Sequence, residues 1–85
     1  MPDVLVDVDV RKEINDLPDD RERRVKDRIE AAGENPTHYL KSLTGSDRFA
    51  IRIGDYRAIV RWEKDEDTLY VVGFGHRRNV YDREL

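Results

Sequence analysis

From Leu43 to Trp62 the chain reads Leu-Thr-Gly-Ser-Asp-Arg-Phe-Ala-Ile-Arg-Ile-Gly-Asp-Tyr-Arg-Ala-Ile-Val-Arg-Trp. After an acidic turn, residues 71–81 read Val-Val-Gly-Phe-Gly-His-Arg-Arg-Asn-Val-Tyr. Phe49, Ile51 and Ile53 alternate with Ala50 and Arg52, which is the period of a strand. Gly54-Asp55 is a two-residue turn of the kind that joins antiparallel strands. Beyond it Tyr56, Ala58, Val60 and Trp62 fall on one face, with Arg57, Ile59 and Arg61 on the other. Lys64 to Asp67 make a second turn. The run from about Thr68 to Phe74 is almost wholly apolar, as a central strand covered on both faces should be. Three consecutive strands and a basic, aromatic tail are thus the centre of the chain.

The preceding residues read as cover for one face of that sheet. Residues 3–10 alternate, with Val4, Val6, Val8 and Val10 on one side and Leu5, Asp7 and Asp9 on the other, so a strand is expected there. Ile14 and Leu17, three residues apart, suggest a short helix over residues 11–17. It ends before Pro18, because a proline disfavours helical geometry in the residue ahead of it. Asp19 and Asp20 offer an N-cap and a negative first turn to a second helix. Val25, Ile29 and Ala32 form its apolar stripe, while Arg21, Glu22, Arg24, Asp27 and Arg28 point outwards. Gly33 and Asn35-Pro36 end it. Residues 37–47 read as a connector with a turn at Gly45-Ser46-Asp47.

The expected fold is therefore α+β, in the order β-α-α-β-β-β. A mostly antiparallel four-stranded sheet carries a two-helix hairpin on one face. Residues 1–85 read as a single domain, since 85 residues suffice for one core and not two. If the helices cover Phe49, Ile51, Tyr56, Val60 and Trp62, then Ala50, Arg52, Arg57, Ile59 and Arg61 face away from them together. An open face with three arginines is the candidate site.

Charge is unevenly spread. The chain has 16 basic and 19 acidic residues, a net charge of -3. Residues 1–36 hold 11 acids and 7 bases, whereas residues 37–85 hold 8 acids and 9 bases, with several acids gathered between Glu63 and Asp67. An acidic support thus precedes a basic working half. The overall acidity argues against a general nucleic-acid binder. The absence of cysteine excludes disulfide and thiolate chemistry and fits a reducing cytoplasmic compartment. No stretch has the form of a signal peptide or a membrane span. Two histidines and no cysteine make a structural zinc site unexpected, and no dinucleotide or P-loop pattern occurs, so no cofactor is expected.

Leu17-Pro18, Asn35-Pro36, Leu43-x-Gly45, Gly54-Asp55-Tyr56-Arg57 and Gly75-His76-Arg77-Arg78-x-Val80-Tyr81 are each weak signals. In this order and spacing they resemble the RelE/ParE superfamily of toxins from type II toxin–antitoxin systems. The resemblance implies one of two activities. RelE-branch members are ribosome-dependent, metal-independent mRNA endoribonucleases that use the 2′-hydroxyl as nucleophile, and ParE-branch members poison DNA gyrase. It also implies a cognate antitoxin, ribosome and mRNA as partners, with operator DNA met only through the antitoxin complex.

By that resemblance Arg57 and Arg77 clamp the scissile phosphate, Arg52 holds the backbone or the developing charge, and Tyr81 stacks on a base or assists proton transfer. His76 is the candidate acid or base. Arg61 and Arg78 are candidate RNA contacts, although cross-strand ion pairing would explain Arg61 and antitoxin contact Arg78. Guanidinium groups suit the task because they bind phosphate bidentately and keep their proton at neutral pH. Tyr56 and Trp62 read as core, His38 and Tyr39 as connector packing. Ala50 stands where the RelE type member carries a lysine. That departure and the acidic balance leave a third reading open, an attenuated member that serves as a binding module in the antitoxin–operator complex.

Overall fold

A computed structural model describes residues 2–76. In chain order the elements are β1 (Asp3–Val6), α1 (Val8–Asn15), α2 (Asp19–Glu34), α3 (Pro36–Tyr39), β2 (Leu40–Ser42), β3 (Phe49–Ile53), β4 (Tyr56–Glu63) and β5 (Thr68–His76). The strands form one sheet in the order β1-β5-β4-β3-β2. β1 runs parallel to β5 and every other pairing is antiparallel. The helices lie on one face, as the α+β reading expects. The sheet has five strands rather than four.

The extra strand comes from the segment expected to be a connector. Asn35 closes α2, Pro36 starts the one-turn α3, and Leu40, Lys41 and Ser42 then pair with Ile51, Ala50 and Phe49. Three residues are too few to display a period of two, and Leu40 alone is buried in this strand. Alternation had no room to announce it.

The first strand is shorter than its alternation suggests. Val4 and Val6 pack against the core, but Asp7 leaves the sheet and caps α1, its side chain accepting from the Asp9 amide at 3.1 Å. The cause lies in β5. Asp7 donates its amide to the Val71 carbonyl at 3.0 Å, and the next residue of β5, Val72, is a bulge, where the β4–β5 register slips. With no regular ladder left to join, the chain turns helical. Val10 and Ile14 become buried one turn apart and Leu17 packs beside them, while Val8 faces solvent.

The long helix holds the expected stripe of Val25, Ile29 and Ala32 against the sheet. Two details of its ends differ. Pro18, not an aspartate, occupies the N-cap position, and Asp19, Asp20 and Glu22 sit in the first turn, where negative charge meets the positive end of the helix dipole. Gly33 lies inside the helix, which runs to Glu34. A Cβ on Gly33 would come within 2.6 Å of Val4 Cγ2, so this glycine lets α2 and β1 approach closely.

The main core fills the space between helices and sheet. Ile51 and Ile53 come from β3, Ala58 and Val60 from β4, Leu69, Val71 and Phe74 from β5, and Val10, Ile14, Val25, Ile29 and Ala32 from the helices. A second cluster lies on the opposite face. There Ala50 and Ile59, 5 % and 0 % exposed, pack under Leu43 and Val72. The face expected to be open is therefore partly closed at its middle.

Candidate functional site

The β3–β4 hairpin builds the site. Gly54 adopts φ +58° and Asp55 does not share its positive φ, so the turn has the form that wants glycine at its first central position. Its register sets Ile53 opposite Tyr56 and Arg52 directly opposite Arg57. Arg52 and Arg57 thus stand side by side on the face away from the helices, at the end of the sheet. Gly75 of β5 is the next residue in that row and adds no side chain. Like charges directly across a ladder destabilise it.

The two arginines differ in freedom. Arg57 folds back on its own turn, where Nη1 donates to the Gly54 and Tyr56 carbonyls, each at 2.8 Å. Among the described residues its other guanidinium donors are left for an anion. The Arg52 side chain is exposed, and its backbone carbonyl accepts from Arg28 Nη1 at 3.4 Å.

Arg61 lies elsewhere on the same face. Its guanidinium sits 4.7 Å from the centre of the Tyr70 ring, and Nε lies 3.0 Å from Glu63 Oε1. The Nε–carboxylate contact is too poorly aligned for a hydrogen bond, so Nε is held by charge alone. Tyr70 in turn donates to Glu66 Oε1 at 3.1 Å. The acceptor carboxylate, with some burial and its negative charge, raises the Tyr70 pKa above that of a free phenol. Arg61 is thereby engaged in a local charge and ring network, with an ion pair along its own strand to Glu63 and a ring contact across the ladder to Tyr70.

His76 is separated from the arginine pair by the bulge. Val72 and Gly73 both fall on the outer face, so the alternation of β5 is inverted beyond them. Gly75 comes to lie opposite Arg57, and His76 opposite Tyr56, on the helix side. The His76 ring meets the Tyr56 ring edge-on at 6.5 Å. Arg77, Arg78 and Tyr81 lie outside the described residues. Of the seven candidate residues, Arg52 and Arg57 are brought together, Arg61 is set apart and His76 is on the other side.

Three further arginines reach the hairpin from α2. Arg21 Nη1 donates to the Tyr56 hydroxyl at 3.3 Å, Arg24 Nη1 lies 3.8 Å from the place a Cβ on Gly54 would occupy, and Arg28 contacts Arg52 as above. All three are exposed, as expected of the outward face of α2, but they lie on the flank that meets the hairpin. Their spacing of three and then four residues put them on one helix flank, the signal that could have found them. Among the described residues no group of three His, Cys, Asp or Glu side chains is placed to hold a metal ion.

The sequence matches, over residues 4–81, the family described as the ParE toxin of the type II toxin-antitoxin system, parDE. The chain belongs to that family. No curated protein matches it in sequence. Among solved structures it resembles the toxin–antitoxin complex RelBE2 from Mycobacterium tuberculosis, with a TM-score of 0.80 and 22% identity, over 91% of this chain and 100% of that one. The archaeal RelE–RelB complex from Pyrococcus horikoshii OT3 gives a TM-score of 0.76 at 21% identity, over 92% and 97% of the two chains. Isolated E. coli RelE gives 0.75 at 19% identity, over 98% and 94%. The fold of this ParE-family toxin is thus shared with RelE toxins. No helix among its described residues is long and apolar enough to cross a membrane.

Proposed function

We propose that this toxin acts in the cytoplasm, as one domain, by cutting ribosome-bound mRNA, and that a cognate antitoxin neutralises it. The observation that supports this most is the cross-strand pair Arg52–Arg57. Two guanidiniums set side by side repel one another, and a phosphate between them relieves that repulsion and accepts bidentate hydrogen bonds. In the reaction the 2′-oxygen attacks the adjacent phosphorus, the bond to O5′ breaks, and a 2′,3′-cyclic phosphate and a 5′-hydroxyl result. The base takes the 2′-hydroxyl proton and an acid returns one to O5′. Arg52 and Arg57 would stabilise the extra negative charge on the five-coordinate phosphorus. Arg77 and Tyr81 complete the site in this reading, and His76 does not share the arginine face.

A second reading is a gyrase inhibitor that binds without catalysis. The match to the ParE family favours it. So does the arginine face, where the Tyr70 hydroxyl is held by Glu66 and His76 points to the other side. Brief induction in growing cells, with mapping of new mRNA 5′ ends, separates the two. Cleavage predicts new 5′-hydroxyl ends in ribosome-covered mRNA that vanish in the Arg52→Ala, Arg57→Ala double variant. Intact mRNA with arrested DNA replication would assign the protein to the gyrase reading.

A further inference from the structure

On the helix side of the β3–β4 turn, a cleft of about 440 Å³ opens between α2 and the end of the sheet. Its charged and polar lining is Arg21, Arg24, Asp55, Tyr56 and His76, and its floor is Val25 and Ile53. Gly54 joins this cleft to the arginine face. Arg57 Nη1 grips its carbonyl at 2.8 Å, and Arg24 Nη1 lies 3.8 Å from the place a Cβ on Gly54 would occupy. The guanidiniums of the two faces are thus separated by a single turn residue.

We propose that this cleft is a second nucleic-acid subsite, which takes one nucleotide of a single-stranded RNA that continues past Arg52 and Arg57 around the Gly54–Asp55 turn. The inference rests on the reading of the chain as an RNA-directed toxin and adds a path for the strand. Arg21 and Arg24 would hold the phosphate, two cations against the single carboxylate of Asp55. The exposed His76 ring and the edge of Tyr56 stand at the mouth, above an apolar floor, which suits a flat base beside its phosphate. Tyr56 is fixed for the purpose, stacked on Phe74 at 5.3 Å with planes 12° apart, its hydroxyl held by Arg21. An acidic protein segment would need the cations but not the apolar slot between them.

The probe is a fluorescent 2′-O-methyl hexanucleotide, which lacks the attacking hydroxyl and cannot be cut. Its binding therefore reports on the subsite whether or not the protein is a nuclease. Anisotropy is measured against salt for the wild type and for the Arg21→Gln, Arg24→Gln double variant. Glutamine keeps the helix propensity of α2 close to that of arginine.

The expected result is a loss of affinity of about tenfold at low salt, and a salt slope shallower by about 0.7, the contribution of the one single-strand phosphate that the two arginines share. Unchanged affinity and slope in a folded double variant would overturn the proposal. So would displacement of the oligonucleotide by a polyglutamate peptide of equal charge at equal concentration, which would assign the cleft to an acidic protein partner. If the double variant fails to fold, the side-chain Nε–H resonances of Arg21 and Arg24 in the wild type decide. Shifts on addition of the hexanucleotide support the subsite, and unmoved resonances refute it.

Discussion

Replacing Gly33 by alanine sets two effects of similar size against each other. In a helix interior the change is worth about 0.8–1 kcal/mol in alanine's favour, and roughly half of that in the last turn, where Gly33 lies. The new methyl would stand 2.6 Å from Val4 Cγ2, about 1 Å inside ordinary carbon–carbon contact. Overpacking of this kind costs about 1–3 kcal/mol. The low end applies, because Val4 is only half-buried and β1 is a four-residue edge strand that can shift. The balance is a net loss of about 0.5 kcal/mol, or a fall in Tm of about 2–4 °C for a domain of this size. In a Val4→Ala background the obstructing methyl is gone, and the same substitution should stabilise by about 0.5 kcal/mol. The two sites should therefore couple by roughly 1 kcal/mol, measured by urea unfolding of all four proteins. A stabilising Gly33→Ala in both backgrounds, with no coupling, would refute the close approach of α2 and β1.

The arginine pair should separate stability from function. Arg52→Ala removes a like-charge neighbour and should be neutral or stabilising by about 0.2–1 kcal/mol. Arg57→Ala relieves the same repulsion but also loses two turn hydrogen bonds, one exposed and one part-buried, and should destabilise by about 0.5–1 kcal/mol on balance. Both should reduce toxicity in an induction assay, and equal thermal shifts in the two variants would contradict this geometry. Ile59→Ala opens a cavity in the second cluster and should cost about 2–5 kcal/mol in chemical denaturation, whereas a loss below about 0.5 kcal/mol would show that this face is open after all. In an absorbance titration of the phenols, Tyr70 should ionise later than a free tyrosine. Glu66→Gln should bring it earlier, because the carboxylate holds the proton. Since the folded form keeps the proton longer, any stability gained this way is present below the ordinary phenol pKa. It is lost as pH rises through the raised one.

Where local chemistry and tertiary context agreed, the sequence was easy to read. Gly54-Asp55 marks the hairpin because one position needs a positive φ, and Val25, Ile29 and Ala32 mark α2 because the sheet takes that stripe. From the hairpin the register of Arg52 and Arg57 followed. Reading failed where a distant residue decided. The alternation of residues 3–10 is real, yet its second half turns helical because the β5 ladder is interrupted at Val72. Gly33 looked like a stop signal and is a contact surface, since its need for space comes from Val4, 29 residues earlier. His76 follows a run of apolar and glycine residues in which no periodicity shows the bulge. Its side of the sheet could not be counted from the sequence.

That bulge makes strand length itself a heritable variable. Removal of the one codon for Val72 would restore regular alternation to β5. Every residue after it would keep its side, because Val72 and Gly73 already share the outer face, so Phe74 would stay in the core and His76 on the helix side. The chain could not keep both its packing and a histidine beside Arg57 without rebuilding the strand around them. Relatives that differ by one residue between the acidic turn and the terminal basic motif should therefore be aligned with the gap at the bulge before they are compared by residue identity.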